Sequence, residues 1–165
     1  MWVRKRIDIG WSDLGFALLR CLVPGTAKMT VVNRCWRDSR HPFTCLSVRS
    51  GFDILLQALN LPAGSEVIVS AMTIDGVLKI LEKHRLVAVP VDLELDTLAP
   101  AAQDVAAAVT DKTCLILIAH LFGTQVDMEP YAEIAHQHGI RLVEDCAQSF
   151  RGMPHGKGDV SDIAM

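Results

Sequence analysis

Apolar residues fall at 52, 55, 56 and 59 behind Ser50-Gly51, the spacing of one helix face, and predict a helix over 52–61. The turn Pro62-Ala63-Gly64 then leads into a short apolar run at 67–70, the pattern of a buried strand. This alternation repeats. Helical spacing over 75–84 precedes an apolar run at 86–91, and an Ala-rich stretch at 100–109 precedes another at 113–119. A helical run at 128–138, stopped by Gly139, precedes Ile140, Leu142 and Val143. Strands near 66–70, 86–91, 114–119 and 140–144, each separated by a helix, predict an α/β fold with a mostly parallel sheet. The run 113–119 lacks polar alternation, as expected of a strand covered on both faces.

Open α/β sheets bind ligands beyond the carboxyl ends of their strands, so the residues closing each run are the candidates for chemistry. Glu144 and Asp145 close the fourth run, and Gln148 follows three residues later. Neighbouring strand residues point to opposite faces, so one carboxylate of the pair can reach the crevice. A carboxylate and an amide so placed can grip a heteroaromatic ring, Asp145 at a ring nitrogen and Gln148 at a neighbouring oxygen. Locally, an aspartate before Ala-Gln serves equally well as a helix N-cap. Ser50 and Gly51, at the start of the first helical run, offer backbone N–H groups to an anion, or a plain N-cap serine. Asp53 close to a phosphate would repel it. His120 ends the third run, where it can touch substrate or satisfy backbone groups under a loop; Gly123 suits a turn with positive φ.

Half of the 165 residues are apolar, ample for one core. Charge divides unevenly: residues 1–45 hold eight Lys/Arg against three acids, residues 46–165 eight against sixteen. An acidic body argues against general nucleic-acid binding. Five cysteines without a CxxC spacing point to a reduced, cytoplasmic chain. The apolar stretch at 14–24 is interrupted by Arg20 and too short to span a membrane. It suits an amphipathic helix that packs on a partner subunit, in preference to a membrane surface. No zinc spacing, dinucleotide fingerprint or phosphate-loop motif occurs, and no metal site is expected.

The run Glu-Asp-Cys-Ala-Gln-Ser-Phe-Arg-Gly at 144–152, followed by Gly-Lys-Gly-Asp-Val-Ser-Asp-Ile-Ala at 156–164, resembles the DegT/DnrJ/EryC1/StrS family of pyridoxal-phosphate (PLP) sugar aminotransferases. Further matches are Gly64-Ser-Glu-Val-Ile-Val, Val91-Asp92 with Thr97-Leu98, and His120-x-x-Gly123 with Asp127-Met128. The resemblance covers 46–165. It implies part of the large domain of a fold-type-I PLP-dependent transferase, incomplete here, behind a basic arm at 1–45. It implies Asp145 at the pyridinium nitrogen, Gln148 by the phenolate oxygen, Ser50 and Gly51 at the phosphate, and His120 towards substrate. Ile74 stands where the family often has an aromatic residue that stacks on the ring. The implied activity moves an amino group from an amino acid to a keto sugar, nucleotide-linked, in a homodimer. The family's Schiff-base lysine is expected beyond Met165, since Lys5, Lys28, Lys79, Lys83, Lys112 and Lys157 do not fit it. The chain alone is therefore expected to be inactive. A dehydratase on the same scaffold, or a non-catalytic α/β module pairing with a partner subunit, are the alternatives.

Overall fold

The computed structural model describes residues 10–22, 45–149 and 161–165. The chain divides into two compact units, Met1–Arg37 and Asp38–Met165. In the first, helix α1 spans Trp11–Leu22, opened by the Gly10 N–H donating to the Asp13 carboxylate at 2.8 Å. Arg20 in its last turn complements the helix dipole. Every residue of α1 is exposed. The arginine-rich segment around Trp36 lies outside the described residues, as does the glycine-rich stretch 150–160 with Lys157. No described helix is long and apolar enough to cross a membrane.

In the second unit, α2 (Val48–Leu59), α3 (Asp75–Lys83), α4 (Ala102–Ala107) and α5 (Glu129–His138) alternate with β1 (Glu66–Ser70), β2 (Val87–Val91), β3 (Thr113–Ala119) and β4 (Arg141–Asp145). A short β5, Ile163–Ala164, completes a sheet of order β2-β1-β3-β4-β5. All pairings are parallel. The four long strands stand where the sequence predicts them. Pro90 is tolerated because β2 is an edge strand.

The alternation of strand side chains sorts the core into two halves. Ile68, Ile116, Ile118 and Leu142 face Val105 of α4 and Tyr131 and Ile134 of α5. Val67, Val69, Leu115, Leu117 and Val143 face Phe52 and Leu56 of α2 and Val77 and Leu81 of α3. Both faces are thus covered, which is why these strands read as unbroken apolar runs.

One boundary differs from the sequence expectation in a way that matters. Helix α2 begins at Val48, not at residue 52. Ser47 is its N-cap, and its Oγ accepts from the Ser50 N–H at 3.1 Å. Ser50 and Gly51 therefore lie inside the first turn, with the Gly51 N–H donating to the Ser47 carbonyl at 2.9 Å. The N–H groups ahead of the first intrahelical bond belong to Val48 and Arg49.

Candidate functional site

At the carboxyl ends of β3 and β4 the sheet opens into a cleft of about 400 Å³. Its floor is apolar, formed by Phe52, Val77, Leu117 and Met165. The N-terminal turn of α2 contributes Ser47, Val48 and Arg49, and the start of α3 contributes Ile74, half of whose surface is open. Asp145 and Ala147 complete the lining. The position follows from topology: in a parallel sheet the loops leaving the strands gather at one edge, and helix N-termini gather there with them.

Asp145 is the last residue of β4, and its Oδ1 accepts from the Ala147 N–H at 2.9 Å. That bond fixes the carboxylate at the cleft wall. Glu144, one residue earlier, takes a different environment, accepting from His120 Nε2 at 2.6 Å and from the Ser161 hydroxyl at 2.9 Å. The His120 hydrogen bond, seconded by Ser161, holds its carboxyl below the ordinary value against the opposing effect of burial.

His120 is not placed to touch a ligand in the cleft. Its ring is 4% exposed, and both nitrogens are engaged. The Val126 N–H donates to Nδ1 at 3.0 Å, so the proton of the neutral ring sits on Nε2 and is given to Glu144. The ring pins the loop after β3 to the end of β4. Of the two roles its position allows, these contacts are those of backbone satisfaction, and His120 is not among the residues lining the cleft.

Of the remaining expected site residues, Ile74 lies in the cleft with Asp145, whereas Ser50, Gly51 and Gln148 do not line it. Ser50 and Gly51 have their N–H groups occupied inside α2. Gln148 Oε1 accepts from the Phe122 N–H at 3.1 Å, tying the loop after β4 to the loop after β3. Asp53, expected to oppose a phosphate, points elsewhere: Lys83 Nζ donates to it at 2.8 and 2.9 Å, and His84 Nε2 lies at 2.8 Å. These contacts, Lys83 first, hold the Asp53 carboxyl below its usual value.

His120, Glu144 and Cys146 bring three ligand-type atoms within 4.8 Å of one another. The Val126 hydrogen bond requires a proton on His120 Nε2, which removes the lone pair a metal would need there. Burial, with the charges of Glu144 and Asp145, pushes the Cys146 thiol up to about 12, so it is a poor nucleophile at neutral pH. Two features went unread in the sequence. Arg49 on the cleft wall carries no motif; the Ser47 cap was legible from Ser-x-x-Ser ahead of an apolar run.

The profile of the DegT/DnrJ/EryC1/StrS aminotransferase family matches residues 34–165. The chain is 34% identical over 119 residues to a pleiotropic regulatory protein of Geobacillus stearothermophilus, covering 72% of this chain and 32% of that protein. It is 31% identical over 118 residues to a UDP-N-acetyl-3-dehydro-alpha-D-glucosamine 3-aminotransferase of Acidithiobacillus ferrooxidans, again 72% and 32%. It therefore spans about a third of the length of these relatives. Among solved structures, NtdA from Bacillus subtilis with bound cofactor PMP superposes with a TM-score of 0.64 at 28% identity, over 70% of this chain and 26% of that one. The parallel sheet with helix-covered faces agrees with this match, and the chain belongs to the DegT/DnrJ/EryC1/StrS aminotransferase family.

Proposed function

We propose that the protein is a PLP-dependent aminotransferase that moves an amino group from an amino acid to a keto sugar, nucleotide-linked, and that the cleft holds the cofactor. The observation that carries this reading is Asp145: a carboxylate fixed at the end of β4 in a cleft that it lines together with an apolar side chain and a helix N-terminus. That donor set fits the cofactor. The carboxylate matches a ring nitrogen, Ile74 and the floor residues match the ring faces, and the first turn of α2 matches a phosphate. Bound PLP supplies an electron sink for the carbon that loses its proton.

The chain's own residues have separable tasks. Asp145 would hold a proton on the ring nitrogen, a positive charge that the ring needs in order to accept electrons. Ile74, on the cleft wall, would pack against the ring and exclude water from that side. Glu144, turned away from the cleft, fixes the strand end through His120 and Ser161. Gln148, to which the family resemblance gives the phenolate side, lies outside the cleft lining and ties the loop after β4 to Phe122, beside the cleft rather than in it. The amino-acid donor and sugar acceptor would enter from the open side. A homodimer, a cytoplasmic location and a basic arm at 1–45 packed on the partner subunit complete the proposal.

The test uses the full-length protein. Asp145→Ala should abolish transamination and weaken PLP retention on dialysis, while Glu144→Ala should leave more of both. Equal PLP retention and activity in Asp145→Ala and the parent would remove Asp145 from the cofactor. A parent protein that binds no PLP would favour the non-catalytic alternative.

A further inference from the structure

Arg49 is a cation in an unusual electrostatic position. It stands at the N-terminal turn of α2 on the cleft wall, and its side chain lies across the first turn of α3. A Cβ added at Gly76 would come within 3.0 Å of Arg49 Cδ and 3.4 Å of its Nη1. Gly76 thus leaves the slot through which the side chain runs. Helix N-termini carry partial positive charge, so a guanidinium beside two of them is disfavoured unless an anion joins the group.

Among the described residues no carboxylate pairs with Arg49, although Asp145 lines the same cleft. Asp53 is four residues on from Arg49 along α2, the spacing at which opposite charges pair on a helix. It is instead taken by Lys83 and His84 at the far end of α3. Asp75, next to the slot, pairs with Lys79 at 2.6 Å. Among the described residues the Arg49 guanidinium has no hydrogen bond or ion pair. Two nearby carboxylates are thus both engaged by other cations, and Arg49 is left facing the cleft.

We propose that Arg49 is a phosphate-recognising residue of this cleft, its guanidinium clamping the phosphate monoester of the cofactor while Gly76 provides the space for it. This rests on the cofactor reading above. A planar fork of N–H donors matches a phosphate, and charge-assisted bonds of this kind are the strong ones. It also compensates for Ser50 and Gly51, whose N–H groups are consumed inside α2. A phosphate could equally belong to a sugar nucleotide, and the two sources separate experimentally.

The dissociation constants of PLP and of pyridoxal, which lacks the phosphate, are measured by equilibrium dialysis on the full-length parent, Arg49→Gln and Gly76→Ala. UDP is titrated into the PLP-loaded forms. Arg49→Gln should weaken PLP by about tenfold or more and leave pyridoxal unchanged, shrinking the preference for the phosphorylated form. Gly76→Ala displaces the arginine without breaking the helix, since alanine is the better helix former, and should shrink the preference in the same direction. It decides the matter if Arg49→Gln does not fold. An unchanged PLP-to-pyridoxal ratio in both variants overturns the role of Arg49 and leaves the cofactor reading standing. Weakened UDP binding with an unchanged ratio overturns it in favour of the nucleotide. A parent that binds neither PLP nor pyridoxal sinks both.

Discussion

Glu144 and Asp145 show how one residue of displacement along a strand separates two carboxylates into different tasks. Alternation sends Asp145 to the cleft and leaves Glu144 with His120 and Ser161. Because the folded Glu144 carboxyl is held below its ordinary value of 4.5, it contributes stability that is present above that value. That contribution is lost as pH falls through the depressed folded value. Glu144→Gln should therefore cost about 1–3 kcal/mol at pH 7 and flatten the acid limb of a stability–pH curve followed by urea melts. An acid limb identical to the parent's would show that the pair contributes nothing. The cysteines give a second residue-scale expectation. Cys45 is exposed, whereas the Cys146 thiol is half-buried and raised to about 12. Iodoacetamide at pH 8 should label Cys45 well before Cys146, as peptide mass mapping would report. The reverse order would mean that the loop after β4 opens.

The elements are held by terminal residues whose conformations the sequence partly announced. Gly139 stops α5 in the left-handed region at φ 68°, and its N–H reaches back to the His136 carbonyl. A Cβ there would meet nothing within 4 Å, so Gly139→Ala carries only a backbone cost. A loss of about 1–2 kcal/mol in chemical denaturation is expected, and a neutral result would mean that the turn can relax. Phe122 holds φ 55° without being glycine, two residues after His120 and with its N–H bonded to Gln148. Here tertiary hydrogen bonds impose what local preference disfavours, and nothing in the residue type signals it. The start of α2 was misplaced for a simpler reason. Periodicity locates the buried face, which begins at Phe52, while the cap at Ser47 is an exposed hydrogen bond outside that pattern.

At the scale of the whole molecule, the unit Asp38–Met165 presents large apolar side chains to solvent: Leu46, Met72, Ile74, Leu78 and Phe122 among them. Surfaces of this kind mark interfaces or association. The 165-residue chain should self-associate at micromolar concentration, and Leu78→Glu should reduce this; a monodisperse parent in sedimentation velocity would contradict it. The order of the strands' appearance, the helices between them and the parallel sheet were all determined by the sequence alone, because burial on both faces writes apolar runs at 67–69, 114–119 and 142–143. That one of Glu144 and Asp145 would face the crevice was legible too, since neighbouring strand residues alternate; the choice of Asp145 came from the family resemblance. Which side chains share the cleft was decided only by the tertiary structure. Arg49, Ile74 and Asp145 are far apart in the chain and meet because the sheet gathers its carboxyl ends at one edge. Whether Asp53 meets Arg49 or Lys83 depends on how α2 and α3 lie together on that sheet, a contact across thirty residues that no local pattern encodes.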